Sequence, residues 1–498
     1  MVTISSYGAW YYAFGVLLDP IAADTGWSYT TLSASFAIGQ VLIGGGSVAG
    51  GMLLDRRGGR TVFGAAAVIG GSSLLVVSIA TSPAVFAAAA SIGMGALGAL
   101  GFYHVTMAAA VRVNPSDPER AVTALTLWGA LSSAIYLPAA AWLVEHLGWR
   151  GAVRCLAASA VVTLALAAIF VPVAGAVAPK RPSWRATLGT IIDRREPRAL
   201  TVAAALTGVA VSILLVYQVP IMAAAGLPLT TAAAIAGLRG VAQLGGRLPV
   251  GFLLARVSTR RLLTVALWAI AAGAVLLAAS STVPVAVGYA AVAGFGIGAW
   301  SPLQGVYAES LFDRRTLGTT LGLYAAIGMV FGAAGPAVAG TVTDLTGDPR
   351  LVAALAAVAG AAGALVLARS GRATSAFPAR LEAVERSETD LVVAFNDAIN
   401  SADLDALVAL MSNDHRFVDS AGSAVEGREA CAAAWTTFFE SFPGYRNIFD
   451  SVEQVAPGRV VAAGRSVSDV EALDGPARWH AAVTGHLVSE WRVEDPGD

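Results

Sequence analysis

The sequence predicts an all-α polytopic membrane bundle of twelve transmembrane helices, followed by a soluble α+β domain. Three observations carry this expectation. Hydrophobic residues make up 56% of the 498 and charged residues 13%, about half the charged fraction of an ordinary soluble domain. Apolar runs near the ~20 residues needed to cross a bilayer recur along most of the chain. Charge also divides near residue 372. Residues 1–372 hold 23 Arg+Lys against 12 Asp+Glu and residues 373–498 hold 9 against 21, so the net charge of −1 is a cancellation of +11 and −12. So little charge cannot clothe two or three soluble domains. A soluble enzyme, a disordered chain and a nucleic-acid binder are poor descriptions of the whole.

The expected spans are 4–21, 32–54, 62–80, 84–111, 121–143, 151–174, 200–222, 231–255, 262–280, 284–308, 317–341 and 350–368. The start at Val2 lacks the basic stretch of a signal peptide, so it reads as a retained first helix. Arg/Lys bias sets the orientation. With Ala22–Thr31 outside, the alternate inner connections hold 16 basic residues, among them Arg56, Arg57, Arg60, Arg112, Lys180, Arg194 and Arg195. The outer ones hold Arg150 and Arg350, with Arg154 at the border. Both ends of the membrane region then face the cytoplasm, and a plasma-membrane location follows.

The expected division is 1–174 and 200–372 for two six-helix halves, 175–199 for a central loop, 373–380 for a linker and 381–498 for the soluble domain. The loop carries Pro179, Pro182 and Pro197 and the densest basic cluster, which suits an anionic lipid surface. Duplication supports the two halves. Pro20 and Pro220, Gly51 and Gly251, and Arg150 and Arg350 share an offset of 200, the mark of parallel repeats in a secondary transporter. Cys155 and Cys431 stand in regions of different character, and no Cys/His spacing suits a metal. No cofactor is expected.

Gly51-Met-Leu-Leu-Asp55-Arg56-Arg57-Gly58-Gly59-Arg60 resembles the loop signature of the major facilitator superfamily, between the second and third spans. The resemblance implies a conformational latch of Gly51, Asp55, Arg56, Gly59 and Arg60. Asp55 is expected to face the positive N-terminal end of a neighbouring helix. Gly15-Val-Leu-Leu-Asp-Pro20, Gly26-Trp27-Ser28, Arg247 and Gly335-Pro336 with Asp344-Leu-Thr-Gly347 resemble the monocarboxylate and oxalate/formate branch.

In that branch the arginine at the Arg247 position binds the substrate carboxylate. Arg239, Gln243 and Arg247 lie four apart and form one polar stripe on a helix. Such intramembrane charges usually face a cavity. A guanidinium fork fits a carboxylate; a structural arginine bonded to carbonyls is the alternative. Two departures stand out. Gln243 occupies the position of the branch's proton-carrying Asp, and Leu317–Thr341 lacks the oxalate carriers' Lys, which makes a two-carboxylate substrate less expected. Asp19, His104 and Glu309 remain as proton-coupling candidates. Tyr11, Tyr12, Tyr103, Trp128, Trp300, Gln304, Tyr307 and Tyr324 fall on spans that line the central cavity in the superfamily, and could enclose a small organic anion.

After residue 372 three helices are expected at Leu381–Ile399, Asp403–Met411 and Gly427–Ser441, followed by alternating strands through Tyr445–Glu494. Phe395-Asn-Asp-Ala-Ile, Phe417-Val-Asp419, Glu426-Gly-Arg428 and Gly485-His-Leu-Val-Ser-Glu-Trp491 resemble the cone fold of ketosteroid isomerase, nuclear transport factor two and SnoaL-like polyketide cyclases. Asp419 falls where the isomerases place their general base. No tyrosine matches their oxyanion hole. His415, Asp419, Trp435, Tyr445, Trp479 and His480 are the expected pocket. A binding or dimerising module is favoured over an enzyme, since fold does not imply function. The domain's −12 could dock on the carrier's basic face.

The sequence thus points to a secondary transporter of a small, monocarboxylate-like organic anion, driven by a proton gradient in a lipid bilayer. No Gly-x-x-x-x-Gly-Lys phosphate loop is present. The alternatives are a drug or metabolite exporter and a bifunctional protein with an isomerase- or cyclase-like tail.

Overall fold

The structure is a computed structural model that describes residues 1–114, 117–171, 194–254, 256–311, 314–370, 387–485 and 487–494. The chain forms two compact units, Met1–Ala376 and Phe377–Asp498.

The described residues of the first unit are mostly helical, with no strand among them. Its first helical run comprises Val2–Ser6, a π-helical segment Tyr7–Tyr12 and Phe14–Thr25. Tyr29–Ile79 is continuous in hydrogen bonding but breaks at Gly58, whose φ is 76°. Pro118–Phe170 breaks in the same manner at Gly148. The expected 84–111 span divides into Pro83–Gly101 and Tyr103–Val113 around an extended Phe102. The expected 231–255 span divides into Leu229–Arg247 and Val250–Leu254, because Pro249 has no N–H to continue the ladder. Arg195–Ala224, Thr259–Ala278, Val283–Leu311, Arg314–Thr346 and Arg350–Ser370 complete the unit. Seven helices among the described residues are long and apolar enough to cross a membrane.

The duplication reappears as backbone geometry. Gly26 and Gly226, 200 apart, both take positive φ just past a helix end. Gly148 and Gly347, 199 apart, both do so before the next helix. These are left-handed turn positions that glycine alone adopts without strain. Small residues also set the helix spacing. A Cβ on Gly50 would strike the Ala99 carbonyl, and one on Gly70 would sit 2.6 Å from Leu97.

The second unit has a six-stranded sheet of order β2-β1-β6-β5-β4-β3. The strands are β1 Met411–Val418, β2 Ala424–Glu426, β3 Arg446–Ala456, β4 Arg459–Val467, β5 Gly475–Thr484 and β6 Leu487–Glu494. β1 pairs parallel with β6 and the other pairings are antiparallel. Helices Glu388–Asn400, Leu404–Ala409 and Arg428–Ser441 accompany it. Phe395, Leu391 and Ile399 join Trp479, Trp491 and Val460 in one core. Asn400 fastens the first of these helices to β3: its Nδ2 donates to the Asn447 carbonyl at 2.9 Å, and Asn447 N–H donates back to Oδ1 at 2.7 Å.

Two expectations for this unit change. Met411 begins a strand rather than ending a helix, and the hairpin β1–β2 lies where no strand was expected. The polar run Ser412-Asn413-Asp414 hides the alternation that long-range pairing with β6 enforces. The expected linker and residues 381–386 of the first expected helix lie outside the described residues, as does most of the central loop.

Candidate functional site

Arg239, Gln243 and Arg247 stand on one helix, Leu229–Arg247. Arg239 is 2% exposed, while Gln243 and Arg247 are half-buried. Helix Val283–Leu311 packs closely along this one: a Cβ on Gly294 would lie 2.5 Å from the Arg239 carbonyl, and one on Gly298 would collide with the Gln243 carbonyl. The two helices therefore run side by side at backbone contact, with residue 239 level with 294 and 243 level with 298.

Arg239 enters a network with residues that sequence reasoning missed. Its Nε–H donates to Gln218 Oε1 at 2.9 Å, and Tyr289 O–H donates to the same oxygen at 2.8 Å. Gln218 and Tyr289 are both wholly buried. The available signal was Gln218 itself, a lone amide in the apolar run Leu214-Leu-Val-Tyr-Gln218-Val.

The π-helical segment Tyr7–Tyr12 carries three tyrosines, Tyr7, Tyr11 and Tyr12. Tyr11 and Tyr12 both lie within electrostatic reach of Arg239, and Tyr12 also within reach of Arg247. Tyr103 lies within reach of Arg247. Tyr7 stacks on Phe102 with ring centroids 3.6 Å apart, and Tyr11 packs edge-on to the same ring. π segments frequently mark functional sites. Arg247 is the last residue of its helix, beside the Pro249 break that divides the expected 231–255 span. Neither arginine has a carboxylate partner among the described residues.

The other expected cavity residues divide. Trp300 is buried, Gln304 is half-buried and Trp128 is 60% exposed. Tyr324 O–H donates to the Pro197 carbonyl at 3.3 Å. Pro197 stands at the far end of the helix that carries Gln218, roughly 30 Å away at 1.5 Å per residue, so Tyr324 is not gathered with Arg239. Asp19 accepts a hydrogen bond from Tyr29 O–H at 3.0 Å, near Trp27. His104 is exposed and its Nε2 meets the Ala99 carbonyl at 2.9 Å, a carbonyl left over where Phe102 interrupts the helix. The Glu309 side chain lies outside the described residues.

In the expected latch, Asp55 forms an ion pair with Arg112, at the end of Tyr103–Val113, rather than meeting a helix start. Arg112 also donates to the Leu54 carbonyl at 3.4 Å. Gly59 is buried and Gly51 half-buried, while Arg56 and Arg60 are exposed.

The two halves meet at the end of the bundle that carries Trp27. Asp344 accepts from the backbone N–H of Tyr29 at 2.9 Å and of Thr30 at 2.8 Å. Ser33 and Tyr217 hydroxyls bond at 2.6 Å, and Gln40 Nε2 donates to Ser212 Oγ at 3.0 Å. Gly340 lets its helix touch the Tyr29 backbone.

In the second unit, His415 is wholly buried and its Nδ1 pairs with the Val488 carbonyl at 2.8 Å. That carbonyl can only accept, so Nδ1 carries the proton and Nε2 is an acceptor. Burial pushes the imidazole below its usual range, opposed by the Val488 carbonyl and by Asp414 and Glu490. His415 Nε2, Asn396 Oδ1 and the indole nitrogens of Trp435, Trp479 and Trp491 are buried without a partner among the described residues. His480 does not join them. It neighbours Trp479 in β5, so it points from the opposite face and pairs with Glu494 at 2.7 Å. Asp419 sits in the β1–β2 turn, its carboxylate accepting Ser423 N–H at 2.8 Å. Tyr445 bonds Ser466 Oγ at 3.0 Å and lines a separate cleft of about 250 Å³ with Asn400, Phe439 and Arg446.

The family profile of the Major Facilitator Superfamily matches residues 1–238 and 200–440. That of the SnoaL-like domain matches residues 392–497. Among solved structures, a mutant form of the nucleoside transporter NupG is 15% identical, covers 74% of this chain and 97% of its own, and superposes with a TM-score of 0.66. A bacterial homolog of the human lysosomal transporter Spinster, in an inward-facing and occupied conformation, is 14% identical over 74% of this chain and 95% of its own, with a TM-score of 0.58. At these identities the likeness is one of fold. The transcription regulatory protein OpdE of Pseudomonas aeruginosa is 39% identical over 66 residues, which span 13% of this chain and only 16% of that protein.

Proposed function

The chain belongs to the major facilitator superfamily, and on that premise we propose that it is a secondary active transporter of a small, monocarboxylate-like organic anion. The observation that carries this reading is Arg239: a guanidinium 2% exposed, bound to the neutral Gln218 amide, with no carboxylate partner among the described residues. A buried unpaired charge is costly, and an anionic substrate supplies what the protein withholds. Arg247 extends the same face by two turns, and Gln243, Tyr11, Tyr103, Trp300 and Gln304 are the further contacts proposed. NupG is by name a nucleoside transporter; an uncharged nucleoside offers no partner for two guanidiniums.

The proposal takes twelve spans in two halves, 1–174 and 200–372, joined by 175–199. By the arginine bias, the Trp27 end is outside and the Asp55 end cytoplasmic, in the plasma membrane. Contacts between halves at the Trp27 end support a state closed to the outside, and transport proceeds by exchange with its opposite. The Asp55 motif serves as the cytoplasmic latch. A proton gradient drives the cycle, with Asp19, His104 and Glu309 as candidate carriers.

After a linker at 373–380, the SnoaL-like domain at 381–498 is cytoplasmic and serves as a small-molecule-binding or dimerising module. Its orphaned buried polar atoms favour a bound ligand, and they also keep alive the reading of an isomerase- or cyclase-like enzyme. Turnover by the isolated domain, abolished by Asp419→Asn or His415→Gln, would establish that alternative. The −12 of residues 373–498 against the +11 of residues 1–372 supports salt-sensitive docking, read as association of separately expressed halves at low salt.

Uptake of labelled monocarboxylates into proteoliposomes tests the main proposal. Saturable uptake lost in Arg247→Ala supports it. Uptake of amphipathic drugs with no carboxylate uptake would favour an exporter.

A further inference from the structure

Arg239 is held along one edge only. Nε–H is committed to Gln218 Oε1, which also receives the Tyr289 hydroxyl. The other side of the Gln218 amide, Nε2, donates to the Leu215 carbonyl at 3.4 Å. Two donors converge on one amide atom, so that atom is the oxygen and the amide has one orientation. The three side chains come from three helices, and each is at most 2% exposed. The Nη nitrogens of Arg239 carry no hydrogen bond among the described residues.

A guanidinium offers a carboxylate two bidentate edges, one through Nε and one Nη, the other through both Nη atoms. Gln218 occupies the first. The second remains for a ligand approaching along the side-chain axis. We propose that Gln218, braced by Tyr289, is a positioning residue that makes Arg239 an end-on carboxylate clamp, and that this clamp rather than Arg247 makes the primary contact with the substrate. The inference rests on the anion-transport reading above. Arg247 stands half-buried at a helix end, where water competes and an ion pair is worth little. Arg239 is 2% exposed, so the same contact discriminates more strongly between a carboxylate and an uncharged group. The selected class is a planar carboxylate whose apolar remainder meets the tyrosines opposite.

The test is uptake of labelled pyruvate into proteoliposomes carrying the full chain, resolved into KM and maximal rate, with thermal unfolding as the control for folding. Gln218→Met keeps the volume and removes the acceptor. Gln218→Glu keeps the acceptor and gives Arg239 an internal counter-ion. Arg239→Lys keeps the charge and removes the fork. Each is expected to raise KM by roughly ten- to a hundred-fold, the worth of a hydrogen bond to a charged group, with the maximal rate little changed. Tyr289→Phe leaves the Arg239–Gln218 bond in place and raises KM less. It serves with Arg239→Lys should the Gln218 variants misfold. Unaltered KM in Gln218→Glu and Arg239→Lys, in protein that unfolds at the usual temperature, would overturn the clamp and leave the anion reading standing. Uptake of uncharged uridine but of no monocarboxylate by the unsubstituted protein would overturn the anion reading, and the clamp with it.

Discussion

Asp344 caps the helix that begins at Tyr29, although 315 residues separate the two in sequence. Its carboxylate oxygens take the N–H groups of Tyr29 and Thr30, while Ser28 Oγ accepts that of Thr31 at 3.2 Å. The orphan donors of the helix start are thereby satisfied, two of them by the opposite half of the bundle. A negative charge at a helix N-terminus is stabilising, so this cap is a clasp between halves.

Asp344→Asn is expected to weaken the clasp and populate the state open at the Trp27 end. The charge at an exposed helix start shifts an equilibrium by roughly two- to five-fold. A cysteine introduced in place of Ser33, in a background without Cys155 and Cys431, should gain reactivity to a membrane-impermeant thiol reagent by a similar factor. Equal labelling with and without the Asp344→Asn substitution would exclude the clasp.

Arg247→Ala and Arg239→Ala should differ in stability. Arg247 has no hydrogen-bond partner among the described residues, so its loss should leave unfolding nearly unchanged while impairing uptake. Arg239→Ala strips a donor from buried Gln218 and should destabilise the protein by about 1–3 kcal/mol. Detergent melting curves of the two variants, taken side by side, check the contrast.

Arg112→Ala should slow transport without altering substrate affinity. The Asp55–Arg112 pair is partly exposed, so its direct contribution to stability is at most about 1 kcal/mol. Its partners lie at the end of the bundle opposite to the Trp27 clasp, where the cycle must reorganise. A raised KM with unchanged maximal rate would contradict this role.

The soluble domain should lose stability as pH falls. Burial holds His415 below its usual range in the fold, whereas the unfolded chain binds a proton near pH 6.5. Above that pH both states are neutral at this residue and stability is full. Below it the unfolded state alone takes the proton, and stability falls by up to about 1.4 kcal/mol per pH unit. Urea unfolding of residues 377–498 between pH 7.5 and 5 measures the slope, and His415→Gln should flatten it.

The sequence was enough to recognise the two kinds of domain in the chain. Composition and run length gave the helical membrane region, the charge reversal near residue 372 gave the second body, and the repeat at offset 200 appears again in the glycine turns at 26 and 226. Periodicity put Arg239, Gln243 and Arg247 on one face. Local pattern, however, cannot report partners hundreds of residues away. It missed β1, whose polar run is made a strand by pairing with β6. It grouped Trp479 with His480, which strand alternation sends to opposite faces. It could not report burial, which differs between Arg239 and Arg247. Only the folded bundle brings Gln218 and Tyr289 to one edge of Arg239 and Asp344 to the start of a helix in the other half. These contacts are set by how closely glycine-lined helices approach, and that distance is a property of packing, which no single segment encodes.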